Sequence, residues 1–139
     1  MAIKGVLLDI DGTLLLSNDA HAQAWVEAFA AYGYDEVKFD DVRPLIGMGG
    51  DQVVPQMVPE LSGKEGVGKQ IADRRKDLII EKFSSNLAPT PGARELVQRL
   101  KQDGFKLVVA TSATSQEVSS LLKAADVEDL LGEMPNNNL

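Results

Sequence analysis

Apolar positions along the chain follow two periods. Residues 3–9, "IKGVLLD", and 105–113, "FKLVVATSA", are apolar runs with few polar interruptions. Runs this short and unbroken predict buried strands, the form that parallel strands take when both faces are covered. Between and after them the period is helical. Asn18 or Asp19 is placed to cap a helix over 20–33, where Ala22, Trp25, Val26 and Phe29 share one face and Gly33 stops the helix. A short helix is expected at 39–46, a break at 47–51 ("GMGGD"), a Pro-interrupted helix at 52–61 and a polar loop at 63–69. A long helix follows over 69–87, with Ile71, Leu78, Ile79 and Phe83 spaced for burial. Pro89 and Pro91 then punctuate the chain, 92–104 reads as an amphipathic helix ended by Gly104, and 115–131 is helical again.

The two strands are thus separated by about seventy residues of helical pattern, whereas a simple crossover between parallel strands needs only about a dozen. The excess predicts a helical domain over 16–88 inserted into an α/β domain built from 1–15 and 89–139. No internal repeat is present.

The first strand ends in Asp9-Ile10-Asp11-Gly12-Thr13. Residues i and i+2 of a strand face the same side, so Asp9 and Asp11 project together. They stand at a carboxyl end, where open α/β sheets bind their ligands. Gly12 permits a turn with positive φ and close approach of a ligand to the backbone. Paired carboxylates suit a hard cation such as Mg²⁺, and they suit a division of labour between a nucleophile and a general acid/base. The plain alternative is a loop whose aspartates only cap and turn. The second strand ends in Thr111 and Ser112, hydroxyl residues that serve either a ligand or a helix cap.

Charge narrows the classes of partner. The net charge is −7, from 21 acidic and 14 basic residues, and no cluster of Lys and Arg stands clear of nearby acids. That pattern speaks against nucleic acid and against an anionic membrane surface. The densest basic run, "DRRKD" at 73–77, is bracketed by acids at helical spacing and reads as a solvated helix face. Cysteine is absent, which removes disulfides and thiolate metal sites and accords with a cytoplasmic location. Nothing reads as a signal peptide, and no apolar run approaches the roughly 20 residues of a membrane span.

Asp9-Ile10-Asp11-Gly12-Thr13 resembles the first motif of the haloacid dehalogenase superfamily of phosphotransferases. A helical insertion directly after it resembles the cap of the phosphoglycolate phosphatase and β-phosphoglucomutase branch, and "VVATSA" at 108–113 resembles the second motif. The resemblance extends from residue 3 to about residue 131. It implies a Rossmann-like α/β parallel-sheet core interrupted by an all-α cap. It also implies that Asp9 attacks phosphorus and forms an aspartyl-phosphate while binding Mg²⁺. Asp11 would protonate the leaving oxygen, then activate water, with its backbone carbonyl on the metal. Gly12, the Thr111 hydroxyl and the Ser112 N–H would lie at the phosphate. In the insertion the resemblance gives His21 and the loop Gly47, Met48, Gly49 and Gly50 to substrate contact. The residues alone leave two readings open. His21 also reads as a partly buried histidine four residues from Trp25, and the loop as a plain interhelical turn capped by Asp51.

The resemblance also implies a lysine after a later strand and an acidic Gly-Asp motif after the next. Neither is found in these 139 residues, because Lys123, Asp126 and Asp129 lie in helical pattern and "GEMPNNNL" at 132–139 matches nothing there. The core is therefore expected to be incomplete, with two clear strands and a stub near residue 133. Either the chain is a shortened or frame-shifted phosphatase, or another chain supplies the rest. The expected function is Mg²⁺-dependent hydrolysis of a small phosphorylated metabolite, weak in this chain alone, with self-association through the exposed sheet edge. The alternatives are a phosphomutase and a non-catalytic interaction module.

Overall fold

The computed structural model describes residues 2–131 and the backbone of 136–138. In chain order its elements are β1 (Gly5–Leu8), β2 (Leu15–Leu16), α1 (Asn18–Ala31), α2 (Phe39–Val42), α3 (Gly50–Met57) and α4 (Gly66–Leu78). They continue with β3 (Ala88–Pro89), α5 (Ala93–Gln102), β4 (Lys106–Thr111), α6 (Ser115–Ala124), α7 (Glu128–Leu131) and β5 (Asn136–Asn138). The chain divides into two compact units, one of residues 1–17 and 84–139, the other of residues 18–83. No described helix is long and apolar enough to cross a membrane.

The first unit carries a parallel sheet in the order β1-β4-β5. Leu8 pairs with Val109 across β1 and β4, and Thr111 pairs with Asn138 across β4 and β5. Leu8, Ile10, Leu107, Val109, Leu121 and Leu131 are buried in its core. Two features differ from the sequence reading. Leu7 of β1, which stands at the sheet edge among the described strands, is 73% exposed. Its apolar run reads as buried because side-chain pattern alone does not count neighbouring strands. The third strand, β5, is made of asparagines, which are depleted in strands. It pairs through backbone groups, which need no apolar side chain. The stub expected near residue 133 lies outside the described residues.

The helix expected over 115–131 is two helices. Asp126 takes a left-handed φ of 58°. Its N–H reaches the Lys123 carbonyl at 3.0 Å and the Val127 N–H reaches the Leu122 carbonyl at 3.0 Å, the paired bonds of a Schellman ending. Arg94 of α5 then grips α7 with both guanidinium nitrogens on Asp129, at 2.7 and 2.8 Å.

β2 and β3 form a two-residue antiparallel ribbon, pairing Leu15 with Pro89 and Leu16 with Ala88. The Thr90 N–H donates to the Leu14 carbonyl at 3.0 Å beside it. Both strands thus fall in the sheet-bearing unit, which places the division at 17/18 and 83/84 where the sequence reading has 15/16 and 88/89.

In the second unit α1 and α3 pack on α4, burying Trp25, Phe29, Val54, Ile71 and Ile79. The Trp25 and Phe29 rings lie 5.7 Å apart. Arg75 is not on a solvated face, because its guanidinium stacks 5.0 Å from the centre of the Trp25 ring. α4 also begins three residues before the expected start, inside the glycine-rich stretch. A Cβ on Gly68 would lie 1.7 Å from the Ser62 carbonyl oxygen, so the glycine there serves close packing. After Leu78 the helix loosens into a π turn over Ile79–Phe83 and a 3₁₀ turn over Ser84–Asn86.

Candidate active site

Neighbouring strands of a sheet lie about 4.8 Å apart, and β1 and β4 run parallel with Leu8 opposite Val109. Asp9 is the next residue after Leu8, Thr111 ends β4 and Ser112 follows it. The structure therefore brings Asp9, Thr111 and Ser112 to the same end of two adjacent strands.

The chain leaves β1 through a tight turn. The Ile10 carbonyl accepts the N–H groups of Thr13, Leu14 and Leu15 at 3.1, 2.9 and 3.1 Å. Gly12 takes φ +76° and donates its N–H to the Leu15 carbonyl at 2.8 Å, a conformation that an L side chain would strain. Ile10 and Leu14 are pinned in the core, so the aspartates on either side of Ile10 point outward. Asp9 is exposed and Asp11 half-buried.

Each carboxylate has a defined partner. Asp9 Oδ1 accepts the Ile10 N–H at 2.8 Å. Asp11 Oδ1 accepts the hydroxyl of Ser17, which has no solvent exposure. Partial desolvation at the strand end holds the Asp9 carboxyl above its ordinary range. The Ile10 N–H works against that rise, Asp11's negative charge adds to it, and Thr13 opposes it. A cation at Asp9 would favour the charged form.

At the end of β4 the Thr111 side chain is buried and its Oγ1 accepts the Ala113 N–H at 3.0 Å, which leaves the hydroxyl proton to donate. Ser112 is exposed. The cap of the following helix is Thr114, not Thr111, and it forms a capping box with Glu117.

Ser17 and Glu117 are absent from the sequence reading. "TSQE" at 114–117 carries the Thr-x-x-Glu pattern of a capping box and is readable. The Ser17 bond has no local pattern, because it depends on how the 10–15 turn folds back.

The remaining candidates belong to the helical unit. His21 is buried in α1. Gly47, at φ +114°, and Met48 are exposed, while Gly49 and Gly50 are half-buried. The N-cap of α3 is the extended Gly49, and Asp51 lies in the first turn, where its charge favours the helix dipole. A Cβ on Gly50 would stand 3.4 Å from both the Trp25 ring and the Arg75 guanidinium.

Among the described residues no group of three or more His, Asp and Glu side chains is gathered to hold a metal. Asp9 and Asp11 form a pair of hard oxygen donors. Mg²⁺ commonly keeps several waters and uses one or two carboxylates, so the donor set fits that ion.

Residues 6–134 match the family model described as haloacid dehalogenase-like hydrolase. The chain belongs to that family. Protein CbbY of Rhodobacter capsulatus is 33% identical over 129 residues, which cover 89% of this chain and 57% of that protein. A phosphoglycolate phosphatase of Mannheimia succiniciproducens is 29% identical over 138 residues, covering 94% of this chain and 61% of that one. The crystal structure of a hydrolase from Pseudomonas syringae shares the fold with a TM-score of 0.83 at 22% identity, over 96% of this chain and 60% of that chain. The chain therefore spans about three-fifths of the length of these relatives.

Proposed function

We propose that this haloacid dehalogenase-like chain carries the nucleophile and the general acid of a phosphomonoesterase. The observation that carries the reading is the Asp9-x-Asp11 pair, turned out by Gly12 at the end of β1 beside the Thr111–Ser112 end of β4. Similarity to a protein named phosphoglycolate phosphatase supports it.

An Asp9 carboxylate oxygen bonds to phosphorus as the bond from phosphorus to the leaving oxygen breaks. Asp11, protonated, gives its proton to that oxygen. The Ser17 hydroxyl donates to Asp11 Oδ1 and holds the carboxyl group in place. Asp11 then removes a proton from water as the water oxygen attacks the aspartyl-phosphate. The bond from phosphorus to Asp9 breaks, inorganic phosphate leaves, and both carboxyl groups return to their starting states. The Thr111 hydroxyl and Ser112 N–H hold phosphoryl oxygens in line for attack. Mg²⁺, held by Asp9 and the Asp11 backbone carbonyl, supplies charge neutralisation when bound. Substrate choice is assigned to His21 and to Gly47, Met48, Gly49 and Gly50. The substrate is a small phosphorylated metabolite.

The test is single-turnover labelling with acetyl phosphate and Mg²⁺. A hydroxylamine-labile phosphoryl group on Asp9, absent from Asp9→Asn, is expected. Equal labelling of the two proteins overturns the assignment of the nucleophile.

A further inference from the structure

Glu117 is the one carboxylate among the described residues with no solvent exposure. Burial of a carboxylate is costly unless it is well hydrogen-bonded, and an ordinary exposed capping box works without that cost. Here Glu117 Oε2 accepts both the Thr114 N–H, at 2.9 Å, and the Thr114 hydroxyl, at 3.0 Å. The Thr114 hydroxyl oxygen in turn accepts the Glu117 N–H at 3.4 Å. At the other end of the same turn, Thr111 Oγ1 accepts the Ala113 N–H at 3.0 Å. Residues 111–114 are therefore fixed twice, at the strand end by Thr111 and at the helix start by Glu117. Ser112, the exposed residue between the two fastenings, has no side-chain anchor of its own among these bonds.

We propose that Glu117 is a positioning residue for oxyanion binding. Its buried carboxylate locks Thr114, so that the turn holds the Thr111 hydroxyl and the Ser112 backbone N–H toward a phosphate at the end of β4. This rests on the phosphomonoesterase reading. The electrostatics make the proposal sharp. A negative charge near the turn by itself repels an anion. Glu117→Gln keeps the side-chain volume and one acceptor oxygen while removing that charge. If Glu117 acted through its charge, Gln would tighten phosphate binding. If it acts by holding the turn, Gln weakens it, because a neutral amide oxygen accepts the two Thr114 hydrogen bonds less strongly than a carboxylate oxygen does.

The experiment titrates inorganic phosphate, in the presence of Mg²⁺, into the ¹⁵N-labelled chain and its variants, following the Thr111, Ser112 and Ala113 amides. Glu117→Gln is expected to raise the phosphate Kd by roughly tenfold, the low end of what losing an orienting partner behind a ligand costs. It should also shift the Ser112 and Ala113 amides before phosphate is added. Thr114→Ser, which keeps the hydroxyl, should bind like the parent chain, and Thr114→Val should follow Glu117→Gln. Thr114→Val serves as the decisive variant if Glu117→Gln does not fold. A folded Glu117→Gln with unchanged or tighter phosphate binding, its loss confined to thermal stability, overturns the proposal alone. No phosphate-dependent shift at Thr111 and Ser112 in the parent chain overturns the phosphomonoesterase reading, and this proposal with it.

Discussion

The sheet-bearing unit and the helical unit solve the burial problem differently. In the helical unit α1 and α3 both pack on α4, and its large apolar side chains most open to solvent, Tyr32, Met48 and Val67, stay at or below 41% exposure. The sheet-bearing unit leaves Ile3 and Leu7 at 74% and 73% and keeps more than half of Leu16 and Leu96 exposed. The reason is topological. Helices satisfy their backbone internally and need only packing, whereas a strand leaves a row of backbone donors and acceptors wherever no neighbour pairs with it. Among the described strands β1 has a neighbour on one side only. The nucleophile candidate sits at the end of that edge strand. The unit that holds the candidate site is thus the one whose large apolar side chains are the more exposed.

The largest effect expected from that contrast concerns turnover. The residues that would offset repulsion between Asp9 and a dianionic phosphate, a lysine and further acidic metal ligands, do not occur after another strand in these 139 residues. Losing one preorganised electrostatic contact commonly costs about 10²–10³ in rate, so the chain alone should hydrolyse p-nitrophenyl phosphate near background with Mg²⁺ present. Robust Mg²⁺-dependent turnover, lost in Asp9→Asn, would show that the open unit is catalytically sufficient.

Next come the cores. Phe29 is fully buried in the helical unit, and Phe29→Ala should destabilise it by about 3–5 kcal/mol, read by helical circular dichroism during denaturation. Leu7→Lys, on the exposed edge strand, should change stability by less than about 0.5 kcal/mol. It should also lower self-association, measured by light scattering, because a charge on an edge strand opposes pairing with another chain. A large stability loss in Leu7→Lys would mean that the edge is covered, and would remove the contrast.

Smaller again is the cap. Thr114→Ala should cost about 1 kcal/mol of α6 stability, the usual value for a lost N-cap, detected as a lower chemical denaturation midpoint. The smallest effect is acid sensitivity. The Arg94 guanidinium, by hydrogen bond first and then by charge, holds the Asp129 carboxyl below its ordinary value. A depressed folded pKa contributes stability that is fully present above the unfolded value of 3.8 and is lost as pH falls through the lower folded value. Arg94→Ala should flatten that part of the acid unfolding curve, and an unchanged curve would show that solvent screens the exposed pair completely.

What the sequence determined by itself is local. The strand-to-turn passage at Asp9–Gly12, the helix over Asn18–Ala31 and the amphipathic helix over Ala93–Gln102 are all legible, because each depends on periodicity or on a residue's own backbone preference. The length of helical pattern between the two strands was enough to point to an inserted unit. Tertiary structure decided whatever depends on partners distant in the chain. It put β1 at the edge of the described strands and left Leu7 exposed although the run is apolar, because strand order is a property of the whole sheet. It paired the asparagines of β5 with β4 through backbone bonds that leave no apolar signature. It gave Asp11 its partner in Ser17, because the 10–15 turn folds the chain back on itself. And it buried Glu117 completely. Thr-x-x-Glu predicts the hydrogen bonds, but only packing around α6 decides whether water reaches them.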